Sequence, residues 1–335
     1  MAASTVFPES QPPGSSLRSR RSSLAALGEG AVTGWIHLCG GLSTLLVVLI
    51  FVFVFKEAFP LFKEYAIGAF LGGTHWVPTS DTPKFGLVPL LLSSVMVTLG
   101  AVVLAIPLGL MTAVYLAEIA PARVRDVVKP AVELLAAIPS VVLGFIGAIT
   151  LAPFVASTLN RVTHTTDYTG TTMLTGSIVL AFMAIPTIAT ISEDALSAVG
   201  KDLKQGSLAL GATRWETIRR VGIPAAFSGI VASIMLGIGR AIGETMVVLM
   251  LTGMGIGESL SAIMAEPVQA FRSVFPAYAE ACRTITATIA QEMGEAVVGT
   301  PHYHVLFLLG VVLFGITFLI NLIADYALRK GQLSQ

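Results

Sequence analysis

Residues Leu45 to Phe55 read LLVVLIFVFVF and close an apolar run that begins at Val32. A helix needs about 20 predominantly apolar residues to cross the hydrocarbon core of a bilayer, and this run contains no Asp, Glu, Lys or Arg. It is longer than the apolar core of a secretory signal and passes into Lys56-Glu57 without a small-residue cleavage site, so it reads as a retained anchor. Five further stretches have the same character: Leu87 to Leu116, Val132 to Val155, Met173 to Ile191, Ala225 to Thr252 and Val305 to Ala324. They are continuously apolar rather than alternating every second residue, which excludes a β-barrel. The expected fold is all-α and integral to a membrane, with six transmembrane helices.

Composition agrees. The 335 residues are 54% hydrophobic and 12% charged, about half the charged fraction of a soluble domain, and mean hydropathy is +0.82. Twenty basic and twenty acidic residues cancel, so no net field favours nucleic acid. Two cysteines, Cys39 and Cys282, make neither a disulfide framework nor a metal-binding pair. There is no phosphate-binding G-x-x-x-x-G-K-[ST] loop, no H-E-x-x-H and no G-x-S-x-G, so no catalytic constellation and no cofactor is expected. His302 and His304 stand without a Cys cluster and are set aside as metal ligands.

With the N-terminus inside, Lys and Arg on the inner loops outnumber those outside by about two to one, which places both termini in the cytoplasm. Residues 1–28 are rich in Ser, Pro and Arg and read as a disordered cytoplasmic tail. Pro89, Pro107, Pro139, Pro153 and Pro186 fall within spans, as in a bent bundle whose neighbours satisfy freed carbonyls. The long segment 253–304 reads equally as a re-entrant piece or a surface loop; Glu292 and Glu295 in it are expected to be solvated. Glu118 and Glu133 are expected to pair with Arg123, Arg125 or Lys129.

Between the fourth and fifth spans lies SEDALSAVGKDLKQGSLALGATRWETIRRVG, residues 192–222. Leu203, Leu208, Leu210, Trp215 and Ile218 alternate with charges, as on an amphipathic helix. Gly211 interrupts it, and Thr213 with Glu216 three residues on forms a capping box for a second short helix. Such a knob suits docking into a partner's groove or lying on anionic lipid.

The pattern Gln205-Gly206-Ser207, three residues, Gly211, nine residues, Val221-Gly222-Ile223-Pro224 resembles the EAA loop of ABC-importer membrane subunits, with QGS in place of the EAA triplet. GSLALGATRWETI is similar to the phosphate branch of that family. The resemblance implies a loop, 192–224, that docks on an ATPase, with Gly211 at the turn and Leu210, Ala212 and Trp215 at the docking surface.

The fifth span carries Gly239-Arg240-Ala241-Ile242-Gly243-Glu244. Each charge near the bilayer centre costs roughly 2.5–3.5 kcal/mol on insertion scales. On one continuous helix, Arg240 and Glu244 share a face and can pair, which offsets part of that cost. They read as an anion gate or site, because a guanidinium fork suits phosphate oxygens, or as an internal strut. Gly239 and Gly243 form a small-xxx-small step that permits close helix approach.

GIGRAIGETMVV and the later ATIAQEMGEA resemble the PstC-type permeases of phosphate importers, over roughly residues 85–330. That resemblance implies a type I ABC permease fold: a first helix and outer loop over 29–85 and a permease domain over 86–330. It places Arg240 and Glu244 on the translocation pathway. The implied setting is a bacterial inner membrane, and the implied partners are a PstA-like second permease, an ATPase homodimer, an external phosphate-binding protein and inorganic phosphate. Permeation of another oxyanion (phosphonate, sulfate or molybdate) and a non-transporting scaffold or sensor are the competing readings.

Overall fold

A computed structural model describes residues 23–80, 82–164, 168–265 and 270–332, in two compact units divided after Phe53. Helix α1 (Ser23–Ala58) starts inside the stretch expected to be a tail; residues 1–22 lie outside the described residues. Along α1 the apolar side chains from Val32 to Ile50 are exposed, a surface suited to hydrocarbon rather than water.

The second unit opens with short helices α2 (Leu61–Glu64) and α3 (Ile67–Gly72) and a small antiparallel ribbon. In the ribbon, β1 (Trp76–Val77) sets Trp76 opposite Phe85 of β2 (Lys84–Phe85). Helix α4 (Val88–Val114) continues through a π-helical turn to Ile119, and α5 (Ala122–Ala136) follows. Helices α6 (Ser140–Ile146) and α7 (Ala152–Thr163) join through a π turn, and α8 (Met173–Ser197) leads to α9 (Lys201–Ala209). Then come α10 (Arg214–Thr217), a third π turn, α11 (Ile223–Ala225), α12 (Phe227–Gly243) and α13 (Met246–Leu251). Helices α14 (Glu258–Ala265), α15 (Ala270–Ala279), α16 (Ile285–Glu292) and α17 (Pro301–Gln332) complete the chain.

Among the described residues, five helical stretches are long and apolar enough to cross a membrane: Val32–Lys63, Val88–Ile119, Ser140–Val162, Met173–Ser197 and Pro301–Tyr326. A sixth forms if Arg214–Ala225 and Phe227–Gly243, bent by 71°, count as one broken span. Two expected boundaries change. The third span begins at Ser140, not Val132, because Pro139 holds extended backbone (ψ 135°) and residues 122–136 form a separate amphipathic helix. The fifth does not run unbroken to Thr252: Glu244 is extended (ψ 131°), so α12 and α13 are distinct. Of the five prolines expected within spans, only Pro107 and Pro186 interrupt helix interiors. Pro89 and Pro153 sit in first turns, where a missing N–H costs nothing, and Pro139 caps α6.

Small residues set the packing. Ala101, Ala105, Gly109 and Ala113 recur every fourth position on α4 and are all buried. A Cβ on Gly109 would lie 2.8 Å from Ile188 of α8, and one on Gly237 of α12 also 2.8 Å from Ile188, so three helices close on that side chain. The expected Gly239/Gly243 step does not serve this purpose, since a Cβ on either would meet nothing within 4 Å.

The described parts of segment 253–304 are folded structure rather than a loose loop. Leu260, Ala277, Cys282 and Ile285 are buried, Tyr278 Oη donates to Met96 O at 2.6 Å, and Ile285 N donates to Ser94 Oγ at 3.0 Å. Burial pushes the Cys282 thiol up to about 12, against a weaker opposing hydrogen bond from Thr252.

Candidate functional site

Arg240 lies in the last turn of α12 and is half-buried. Its Nη1 donates to Thr187 Oγ1 of α8 at 3.1 Å, and its Nη2 donates to Ala136 O, at the end of α5, at 3.4 Å. Both acceptors are neutral. The expected pairing with Glu244 is not made: the backbone turns at Glu244, and its Oε1 accepts from Met246 N at 3.1 Å and Val247 N at 3.4 Å, capping α13. Thr286 Oγ1 donates to Glu244 O at 2.9 Å and holds the break from α16. Among the described residues Arg240 therefore has no carboxylate partner. Its unspent donors and uncompensated charge can bind an oxyanion.

The knob between α8 and α12 forms as its sequence dictates. Helix α9 ends at Ala209, and Gly211 takes φ +87°. Thr213 Oγ1 accepts from Glu216 N at 3.3 Å while Glu216 Oε2 accepts from Thr213 N at 2.9 Å, the reciprocal box read from the spacing. The backbone bond from Thr213 is the main influence holding the Glu216 carboxyl below its usual range. Leu210 is 91% exposed and Trp215 61%, while Ala212 is partly covered. Two large apolar side chains thus stand open on a polar knob, a surface of the kind a partner can cover. Gly211 has open space around it, so a side chain there meets no neighbour; its left-handed backbone alone demands glycine. Gly211→Val is expected to disfavour the turn by about 1–2 kcal/mol. A partner docking on the knob should then be retained roughly tenfold less well in co-purification, with the unfolding temperature nearly unchanged. Equal retention would remove the knob from the docking face.

Two ion clusters tie this region together. Lys204 of α9 donates to Glu118 Oε1 at 2.7 Å and to Leu196 O at 2.9 Å. Glu193 of α8 is fully buried and accepts from Arg125 and from Lys129 (2.5 Å), while Lys129 also meets Asp194 at 2.7 Å. Asp194 first, then Glu193, hold the Lys129 ammonium above its usual range. That stabilisation is complete below the ordinary lysine value and is lost only as pH rises past the raised one, so it is constant through neutral pH. Glu118 thus finds Lys204 rather than Arg123, Arg125 or Lys129, and Glu133 is exposed.

A third cluster was missed in the sequence. Glu292, expected to be solvated, is buried and accepts from Trp76 Nε1 (3.0 Å), Arg283 Nη1 (2.5 Å) and His302 Nε2 (2.8 Å). Trp76 lies 216 positions away, beyond the reach of any local pattern.

A bundle of apolar helices in which Arg240 has no carboxylate partner among the described residues, with a polar knob between α8 and α12, suits a membrane permease. The chain belongs to the family of binding-protein-dependent transport system inner membrane components, whose model matches residues 105–330. It is 38% identical over 257 residues to the probable ABC transporter permease protein YqgH of Bacillus subtilis, covering 77% of this chain and 76% of that one. It is 37% identical over 276 residues to the phosphate transport system permease protein PstC of Mesorhizobium japonicum (78% of each chain). It is 34% identical over 261 residues to PstC 1 of Mycobacterium tuberculosis (73% of each). A solved bacterial alginate ABC transporter, in complex with an alginate-bound periplasmic protein, has the same fold at 15% identity. Its TM-score is 0.53, over 90% of this chain and 96% of that chain. The MetNI methionine ABC transporter, inward facing, gives 0.51 at 19% identity over 73% and 95%.

Proposed function

We propose that the chain is a permease subunit of an ATP-driven phosphate importer and forms half of its translocation pathway. The observation that carries this reading is Arg240, held by two neutral oxygens with no carboxylate partner among the described residues. Two relatives that match across most of their length are named as phosphate transport permeases, which supports the substrate. Glu244 belongs to the same pathway: by capping α13 it fixes the break after Arg240 and leaves the guanidinium unclaimed. Both termini are placed in the cytoplasm by the positive-inside bias. The knob at Leu210, Gly211, Ala212 and Trp215 then faces an ATPase homodimer, and the permease domain spans 86–330 after a first helix and outer loop over 29–85. A PstA-like second permease and an external phosphate-binding protein complete the assembly.

The test is uptake of labelled phosphate in cells lacking their own phosphate importers, with this chain co-expressed with its neighbouring transporter subunits. Uptake is expected to be ATP-dependent and insensitive to excess sulfate or molybdate. Competition by one of these, or an assembled complex that hydrolyses ATP without moving phosphate, reassigns the permease to another oxyanion. A chain that recruits no ATPase is a scaffold instead.

A further inference from the structure

We infer that Glu193 is a positioning residue for Arg240 and acts on it through α5. The inference rests on the reading of Arg240 as an oxyanion-binding residue.

Helix α5 has no buried residue, and Val127 and Leu134 on it are about 70% exposed (70% and 68%). It therefore lacks the apolar anchor that normally seats an amphipathic helix. What ties it to α8 is polar. Arg125 reaches Glu193 and, at 3.0 Å, Ser197 Oγ; Lys129 reaches Glu193 and Asp194. Glu193 is the centre of that cluster: its side chain is fully buried and its two oxygens take one cation each, whereas Asp194 is 66% exposed.

The other end of α5 holds Arg240. Ala136 is the last residue of the helix, where carbonyls have no intrahelical partner and the helix end carries partial negative charge. A guanidinium is favoured there, and Arg240 Nη2 occupies the position. Lys129 and Ala136 are joined by about 10 Å of one helix at 1.5 Å per residue, with Pro130 directly after the clamped lysine. Thr187, the second acceptor for Arg240, lies on α8 between one and two turns before Glu193, so both halves of the cradle are referenced to one helix. Fixing α5 on α8 at Glu193 fixes the spacing between Ala136 O and Thr187 Oγ1, and hence the direction of the guanidinium. Without the clamp, α5 is free to shift, and Arg240 keeps its charge but loses its aim.

The experiment uses the complete transporter in proteoliposomes, with its second permease, ATPase and binding protein, and reads phosphate delivered per ATP hydrolysed. Glu193→Gln is expected to lower that ratio roughly tenfold, the effect of one lost hydrogen bond to a charged group, while ATP hydrolysis stimulated by the binding protein stays within about twofold. A purely structural defect would lower hydrolysis and transport together and leave the ratio unchanged. Because Gln leaves two cations with a weakened partner, Arg125→Gln/Lys129→Gln releases α5 from the other side and should lower the ratio equally. Thr187→Val should do the same, and Thr187→Ser, which keeps the hydroxyl, should restore it. If Arg240→Gln transports normally, the oxyanion reading of Arg240 fails. If Arg240→Gln is inactive while assembled Glu193→Gln or Arg125→Gln/Lys129→Gln keeps the wild-type ratio, the positioning role alone is overturned.

Discussion

Arg240→Gln is expected to lower phosphate uptake by about 100-fold or more at unchanged membrane abundance. The Arg240 side chain has only neutral hydrogen-bond partners among the described residues. It spends two donors on Thr187 Oγ1 and Ala136 O, both neutral, so its positive charge remains uncompensated. A passing oxyanion can supply the missing charge and engage the remaining N–H groups. Hydrogen bonds with an ionised partner contribute roughly 1.5–3 kcal/mol each, and losing a bidentate pair accounts for two orders of magnitude or more. Folding should not suffer, because a charge within the span is itself costly and Gln removes that cost. Gln can also still donate to Thr187. Arg240→Lys separates charge from shape. The ammonium keeps the charge but not the planar fork, so uptake should fall between wild type and Gln. Wild-type uptake by Arg240→Gln would falsify the pathway role.

How much of this was legible in the sequence depends on the range of the interaction. The spans were readable because each is a continuous apolar run, and a run needs no partner to be recognised. The knob was readable for the same local reason: Thr213, Glu216 and Gly211 carry capping and turn chemistry within a few residues. The break at Glu244 was not. No proline marks it, and Arg240 and Glu244 at a four-residue interval look like a helix pair. The extended backbone there is supported by Thr286, forty-two positions on, and by the Glu244 carboxylate turning to cap α13. Tertiary contacts overrode a valid local pattern. The acceptors of Arg240 lie on α5 and α8, 104 and 53 positions away, so the site's residue was legible and its setting was not. Likewise, Gly239 and Gly243 matched a packing motif, yet Gly237, two positions before Gly239 and on a different face of α12, is the glycine of that helix that meets Ile188.

Glu292→Ala is expected to destabilise the protein by about 3–5 kcal/mol, the cost of removing one member of a buried ionic group. The carboxylate side chain is 8% exposed, and its partners Arg283 and His302 are 20% and 19% exposed. Alanine leaves the guanidinium with only Met254 O, which Nε reaches at 3.2 Å, and leaves the Trp76 N–H without its acceptor. The loss propagates because Glu292 is a polar point at which the ribbon, α16 and the start of α17 meet. Trp76 belongs to the ribbon, packs edge-on to Phe85 at 5.8 Å, and Phe85 stacks on His302 at 6.2 Å. The ribbon, α16 and the start of α17 therefore share one polar centre inside an apolar cluster that includes Leu90, Ile285 and Leu306. Glu292→Gln keeps an acceptor oxygen and the side-chain volume, so its cost should be smaller, and Trp76→Phe, which deletes one neutral donor, should cost only about 1 kcal/mol. In detergent, the unfolding temperature should fall in the order Ala, Gln, Phe, by roughly 5–15 °C for the first. Limited proteolysis should show residues 61–86 opening before α4 and α8. An unchanged unfolding temperature for Glu292→Ala would mean that water replaces the carboxylate at no cost, and that the ribbon is held by its aromatic contacts alone.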